Sequence, residues 1–331
     1  MNDNPKIAVL GGGSWATAIV KMLSENLTEI GWYMRNQTSI DYILENEHNP
    51  NYLPSAEFDV NQLKISSNIN KIVAYADILI FAIPSAFLKG ELDKISEDFS
   101  NKIIFSAIKG IVPESGLIVG EHFHKHFEIP YENIGVITGP CHAEEVAMER
   151  LSYITIACID KSKAEQLSKY LSSNYINAKT SDDIFGTEYA AMLKNIYAIA
   201  AGIAHGLGYG DNFQAVLMSN SIREMKRYIK KVHKMKRNIN NSAYLGDLLV
   251  TGYSIFSRNR MFGNMIGKGY TVKSAMMEMS MIAEGYYAAK SAYLINQKIE
   301  AKVPIINAVY DILYQHKNPK KVFKNLTEIL D

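Results

Sequence analysis

The amino-acid sequence predicts a two-domain protein. An α/β domain with a doubly wound, mainly parallel sheet spans residues 1–182, and an all-α domain spans 183–331. Three observations carry this. Short runs, apolar at nearly every residue, recur through the first half at roughly helix-length spacing, the pattern of parallel strands buried on both faces. Beyond about residue 180 those runs nearly vanish, and long Ala-rich stretches with helical spacing replace them. The length, 331 residues, suits two cores better than one.

In chain order the strand-like runs are "KIAVLG" from Lys6, "EIGWYMRN" from Glu29, "ADILIFAIPS" from Ala76, "KIIFSAIKG" from Lys102, "IGVITGP" from Ile134 and "LSYITIACI" from Leu151. The change in character falls near "TSDDIFG", Thr180–Gly186. The helical half contains "DDIFGTEYAAMLKNIYAIAAGIAHGLG", "NFQAVLMSNSIREMKRYIKKVHKMK" and "TVKSAMMEMSMIAEGYYAAKSAYLINQ". The first of these is interrupted by Lys194, Asn195 and His205, so it reads as a buried helix and not a membrane span.

Composition narrows the function classes. Charged residues are 21% and the net charge is +1, so no global field recruits nucleic acid or an anionic membrane. Two cysteines, Cys141 and Cys158, form no disulfide framework, which suits a reducing, cytoplasmic setting. The N-terminus "MNDNPKIAVL" lacks the basic and apolar regions of a signal peptide.

The chemistry-bearing motif of the first half is "KIAVLGGGSWATAIV". Gly11, Gly13 and Ala16 fill a G-x-G-x-x-A pattern between a strand and a helix. There the first glycine turns the chain, the second lets backbone approach a pyrophosphate, and the third position stays small for helix–strand packing. Exposed N–H groups at a helix start complete a phosphate cradle, so a Rossmann-type NAD(P) site is expected. Where an acidic residue would bind a free ribose 2′-hydroxyl, the sequence has "WYMRNQ", and Arg35 suits a 2′-phosphate; NADP is favoured over NAD.

In the second half Lys194 stands on a helical face with Thr187, Ala190, Ala191, Tyr197, Ala198 and Ala201. Mostly small neighbours imply close packing and a desolvated amine, whose lowered pKa suits proton transfer. A snorkelling surface lysine is the alternative. Farther on, "SRNR", Ser257–Arg260, collects donors for phosphate oxygens, and Asp247, after a glycine, reads singly as a helix N-cap.

The chain resembles the bacterial-type NAD(P)-dependent glycerol-3-phosphate dehydrogenases. The blocks that carry the likeness run in order: "GGGSWATA", "IPS", "SAIKGI", "ITGPCHAEE", "AAMLKNIYAIAAGIAHGLGYGDN", "YLGDLLVTGYSIFSRNRMFG" and "MIAEGYYAAK". The resemblance implies an enzyme interconverting sn-glycerol 3-phosphate and dihydroxyacetone phosphate, supplying the former for phospholipid synthesis. It implies Lys194 as proton acceptor, with Lys109 and Asp247 also in the catalytic set. It implies substrate contacts at Lys109, Gly139, Cys141, Lys194, Asp247, Ser257, Arg258 and Asn259. Cofactor contacts fall on Gly11, Gly13, Ser14, Trp15, Arg35, Lys109, Ala143, Arg258, Ile282 and Glu284. Two positions depart from the family pattern. Cys141 stands where Ser or Thr is common, and a thiol is the weaker donor; "VTG" at 250–252 replaces a threonine–cysteine pair. A homodimer is expected, with no nucleic-acid partner and no membrane span. A related β-hydroxyacid dehydrogenase, or a silent NADP(H)-binding sensor on the same fold, are the alternatives; "SRNR" argues against the first, and Lys109, Lys194 and Asp247 together against the second.

Three other motifs carry less. "EHFHKHF" spaces His122, His124 and His126 by two, but no Asp or Cys nearby completes a metal set, and the segment suits a helix end. Cys141–His142 invites a thiol nucleophile, yet adjacent residues rarely face each other. "KRYIKKVHKMKR" holds seven Lys and Arg, but Met225, Ile229, Val232 and Met235 or Lys236 keep helical spacing, as on a solvated amphipathic face.

Overall fold

The structure, a computed structural model, describes residues 4–279 and 283–331. Its strands are β1 (Ile7–Leu10), β2 (Ile30–Tyr33), β3 (Leu63–Ser66), β4 (Ile78–Phe81), β5 (Ile103–Ser106), β6 (Ile111–Val112), β7 (Leu117–Ile118), β8 (Ile134–Thr138), β9 (Ser152–Cys158) and β10 (Ile176–Ser181). Eight of them form one sheet in the order β10-β9-β8-β5-β4-β1-β2-β3, while β6 and β7 lie outside it. The pairings are parallel except β8 with β9, so the mainly parallel α/β expectation holds. Successive strands step outward one way from β1 to β3 and the other way from β4 to β8. That reversal creates a switch point at β1 and β4, where such sheets bind ligands. The helices connecting these strands are α1 (Ser14–Ser24), α2 (Gln37–Asn46), α3 (Ile69–Tyr75), α4 (Ser85–Leu92), α5 (Val119–Phe127), α6 (Ala143–Ala147) and α7 (Lys161–Leu171).

The central strands are the ones legible as apolar runs, because every residue of β1, β2, β4 and β8 is buried. The two edges, β3 "LKIS" and β10 "INAKTS", expose part of their length and carry polar residues, and the sequence gives them no strand signal.

The chain divides into two compact units. One comprises residues up to Ile108 together with Leu117–Ile184; the other comprises Lys109–Gly116 with Phe185–Asp331. Apart from the short β6, the second unit is helical. It contains α8 (Ile184–Gly206), α9 (Asp211–Val232), α10 (Asp247–Tyr253), α11 (Arg258–Gly267), α12 (Val272–Glu278), α13 (Glu284–Ile299), α14 (Pro304–Tyr314) and α15 (Pro319–Thr327).

α8 is its axis. From Ala190 to Ala204 every residue is buried, Lys194 and Asn195 among otherwise mostly apolar or small ones. α11 crosses it at a seam of four glycines. A Cβ on Gly202 would stand 2.0 Å from the Arg260 carbonyl oxygen, and one on Gly206 2.4 Å from that of Asn264. In return, Gly263 and Gly267 would meet the carbonyls of Ile199 and Ile203 at 2.1 and 2.4 Å. The two backbones therefore touch, which fixes the start of α11 against the middle of α8. Glu224 of α9 is buried and accepts from Ile305 and Ile306 N–H, each at 2.9 Å, tying down the start of α14.

One sequence expectation changes here, and the helical reading of the histidine segment holds. The basic helix ends at Val232, so Met235 and Lys236 lie beyond its apolar face. The histidine segment forms α5, with the His122 and His126 rings 4.6 Å apart and His124 stacked on Tyr131 at 4.0 Å. Among the described residues no group of three His, Cys, Asp or Glu side chains is gathered to hold a metal.

Candidate active site

In the first unit the glycine loop leads from β1 into α1. Gly11 has φ +136°, a conformation that L side chains rarely adopt, and a Cβ there would lie 2.4 Å from the Ala82 carbonyl oxygen. Its N–H donates to Tyr33 O at 3.0 Å, and its carbonyl accepts from Trp32 Nε1 at 2.7 Å. Gly11 is thus required by the protein itself. Gly13 is different: a Cβ on it would meet nothing within 4 Å. No packing contact calls for glycine there, and the space beside it is open.

Gly13 is also the N-cap of α1, and no side chain caps that end. In the same unit α2, α3 and α7 are capped by Asn36, Asn68 and Asp160, while α4, α5 and α6 also start without a side-chain cap. At that end the N–H groups of Ser14 and Ala16 are available to an anion, where the helix dipole favours one. Thr17 is not among them, since its N–H and hydroxyl both donate to Gly13 O at 2.9 Å. This cradle fits the pyrophosphate of a dinucleotide. Arg35 follows the end of β2, exposed, with its guanidinium 5.9 Å from the centroid of the Phe87 ring.

Gly139 and Cys141 follow β8. Gly139 has φ +121°, and a Cβ on it would lie 2.8 Å from Tyr153 O, so the fold alone accounts for this glycine. Cys141 and Ala143 are buried, and Ala143 opens α6.

The second unit gathers the ionisable groups. Lys194, midway along α8, is 4% exposed and donates through Nζ to Oδ1 of Asp247, which is 1% exposed. Asp247 is the first residue of α10 and follows the π-helical turn Ser242–Gly246; its side chain caps no helix, so the N-cap reading is replaced by an ion pair. Thr251 Oγ1 donates to the Asp247 carbonyl at 2.6 Å. Burial pushes the Lys194 ammonium down to about 7, Asp247 acts against this, and the Lys109 ammonium lowers it further. A surface lysine is ruled out. Asn195, next to Lys194, donates through Nδ2 to the Lys109 carbonyl at 3.0 Å, fixing Lys109 beside α8.

Ser257 is the N-cap of α11, its hydroxyl accepting from Arg260 N at 3.3 Å, and Arg258 is that helix's first residue. Asn259 Oδ1 accepts from Gly285 N at 2.9 Å, which joins the starts of α11 and α13 beside Glu284. Lys109, Lys194, Asp247, Ser257, Arg258, Asn259 and Glu284 therefore all belong to the helical unit, and the glycine loop, Arg35, Gly139, Cys141 and Ala143 to the other. Ile282 lies outside the described residues. Asn195, Thr251 and the glycine seam carry no assigned role in the sequence. The seam left a signal in glycines four apart in both "GIAHG" and "GNMIG".

A dinucleotide cradle on a doubly wound sheet, with a buried lysine–aspartate pair in a helical unit, describes a nicotinamide-dependent oxidoreductase in architecture. Comparison with known proteins specifies the family. Residues 6–164 match the N-terminal domain, and residues 183–324 the C-terminal domain, of NAD-dependent glycerol-3-phosphate dehydrogenase. The chain is 33% identical over 323 residues to glycerol-3-phosphate dehydrogenase, NAD(P)+, of Macrococcus caseolyticus, covering 97% of each chain. It is 33% identical over 325 residues to the enzyme of the same name from Staphylococcus aureus, covering 98% of each. The crystal structure of glycerol-3-phosphate dehydrogenase from Coxiella burnetii superposes with a TM-score of 0.89 at 26% identity, covering 98% of this chain and 99% of that one. This chain belongs to the NAD-dependent glycerol-3-phosphate dehydrogenase family.

Proposed function

We propose that the protein interconverts sn-glycerol 3-phosphate and dihydroxyacetone phosphate, with Lys194 as the proton-transfer group. The observation that carries this reading is the buried Lys194–Asp247 pair, whose amine is held near neutrality. With a pKa of about 7, both the amine and the ammonium are populated at neutral pH, as a group working in both directions requires. In oxidation, neutral Lys194 takes the proton from the C2 hydroxyl. In reduction, its ammonium returns a proton to the oxygen forming at C2. When bound, NAD(P) would supply the hydride acceptor or donor for C2.

The other residues bind and orient. Asp247 holds the Lys194 amine in place. Lys109 contributes positive charge for the substrate phosphate, helped by donors from Ser257, Arg258 and the Nδ2 of Asn259. Gly139 and Cys141 complete the substrate contacts, with the thiol as a weak donor. On the cofactor side, Gly11, Gly13, Ser14 and Trp15 cradle the pyrophosphate. Arg35 meets a 2′-phosphate and tilts preference toward NADP, while Lys109, Ala143, Arg258, Ile282 and Glu284 supply the remaining contacts. No helix among the described residues is long and apolar enough to cross a membrane. Cytoplasmic location, a homodimer and a supply of glycerol 3-phosphate for phospholipid synthesis complete the reading.

The test is NADPH oxidation assayed with dihydroxyacetone phosphate, unphosphorylated dihydroxyacetone and a panel of keto acids. Turnover restricted to the phosphorylated ketone is expected. Comparable turnover of an unphosphorylated keto acid would favour a β-hydroxyacid dehydrogenase, and none with any substrate a silent NADP(H) binder.

A further inference from the structure

The net charge of +1 conceals an uneven distribution. Seven Lys and Arg fall within Lys226–Arg237, so the rest of the chain is net acidic. Arg223, Lys226, Arg227, Lys230 and Lys231 stand at i, i+3, i+4, i+7 and i+8 of α9, so one helix face carries them over about 12 Å. Burial of Met225, Tyr228 and Ile229 holds that face outward. Lys234 and Lys236 prolong the charge past the helix end, and Lys226, Lys230, Lys231, Lys234 and Lys236 are all exposed. The sequence has no acidic residue between Glu224 and Asp247, and both of those are buried and engaged elsewhere.

The two arginines of the stripe are already committed. Arg223 pairs with Asp331, and Arg227 Nε donates to Lys302 O at 3.0 Å. Among the described residues, the ion pairs leave Lys226, Lys230, Lys231, Lys234 and Lys236 unused. What remains available is thus a row of lysines: hydrated point charges suited to a diffuse anionic field, not to bidentate recognition of a phosphate or a base. No aromatic side chain stands exposed among them to stack on a nucleobase, since Tyr228 is buried.

We propose that this face of α9 docks the protein on an anionic lipid surface. The lysines lie along the headgroup phosphates and the helix does not insert, because its apolar side is spent on the protein core. This inference is independent of the proposed reaction.

The test is cosedimentation of the full chain with phosphatidylcholine vesicles, with and without phosphatidylglycerol, at two salt concentrations, with duplex DNA as a separate arm. Binding is expected only to the phosphatidylglycerol vesicles, and it should weaken with salt. Each lysine near such a surface contributes roughly fivefold in partition, so K226Q/K230Q/K231Q should lose roughly 100-fold. Its melting temperature and kcat/KM should be unchanged. Lys71→Gln, Lys169→Gln and Lys179→Gln together make the same change in net charge away from the stripe and should lose far less. Failure of the wild type to bind, equal loss in the two triple variants, or tighter binding to DNA than to vesicles would each overturn the proposal.

Discussion

Replacing Asp247 by Asn probes the ion pair with minimal change in shape. Lys194 is buried, and burial lowers its pKa to about 7 even with the Asp247 carboxylate opposing the shift. An opposite charge at contact distance favours the charged form by about 1–3 pKa units. Without it, Lys194 should titrate that much lower. For glycerol 3-phosphate oxidation the amine must be neutral, so wild-type kcat/KM should fall about tenfold per pH unit below about 7 and level off above it. In Asp247→Asn the descent should begin roughly 1–3 units lower. The substrate phosphate also titrates near about 6, but identically for both proteins, so the difference isolates Lys194. The variant should also melt earlier at acid pH, where it must bury an ammonium without its partner, a loss of about 3–5 kcal/mol at most. An inflection that stays in place, or moves up, would refute the assignment of the pair.

Three further outcomes follow from the same structure. Gly13→Val places its side chain where no protein atom lies within 4 Å, so the variant should fold normally and yet lose NADPH binding by calorimetry; unchanged affinity would make the loop a turn only. Arg35→Asp removes a charge-assisted bond worth about 1.5–3 kcal/mol, roughly 10- to 150-fold, so kcat/KM for NADPH should drop while NADH is spared; a change in the ratio under about threefold would leave Arg35 as a surface residue. Burial raises Glu224 from 4.5 to about 8, so between those values the folded protein keeps a proton that the unfolded chain has lost. Stability should therefore fall as pH rises through that window, and Glu224→Gln should flatten the trend in urea midpoints; an unaltered slope would count against it.

The parts of the fold written plainly in the sequence are those where one residue type is physically required. β1, β2, β4 and β8 announce themselves because both faces are buried, and Gly11 because its backbone admits little else. β3 and β10 are silent because sheet edges tolerate polar residues. In the candidate site, the small-residue face of α8 raised a desolvated Lys194 beside a snorkelling one, and its burial decides for the first. Its partner was not legible: a carboxylate 53 positions away in sequence looked like a helix cap, and only folding brings it to Lys194. Lys109 was similarly opaque. It follows a strand of the first unit, yet Asn195 holds it in the second. Asn259 looked like a phosphate donor, but half of its amide is used to secure Gly285.

The most direct measurement is the turnover of dihydroxyacetone phosphate by Lys194→Met, with NADPH binding followed in parallel by calorimetry. Methionine keeps the length and apolar stem of the side chain and removes the exchangeable proton. A fall in kcat of about 100-fold or more, the scale of general acid–base catalysis, is expected, with cofactor affinity hardly changed. Near-normal turnover in a folded variant would contradict it.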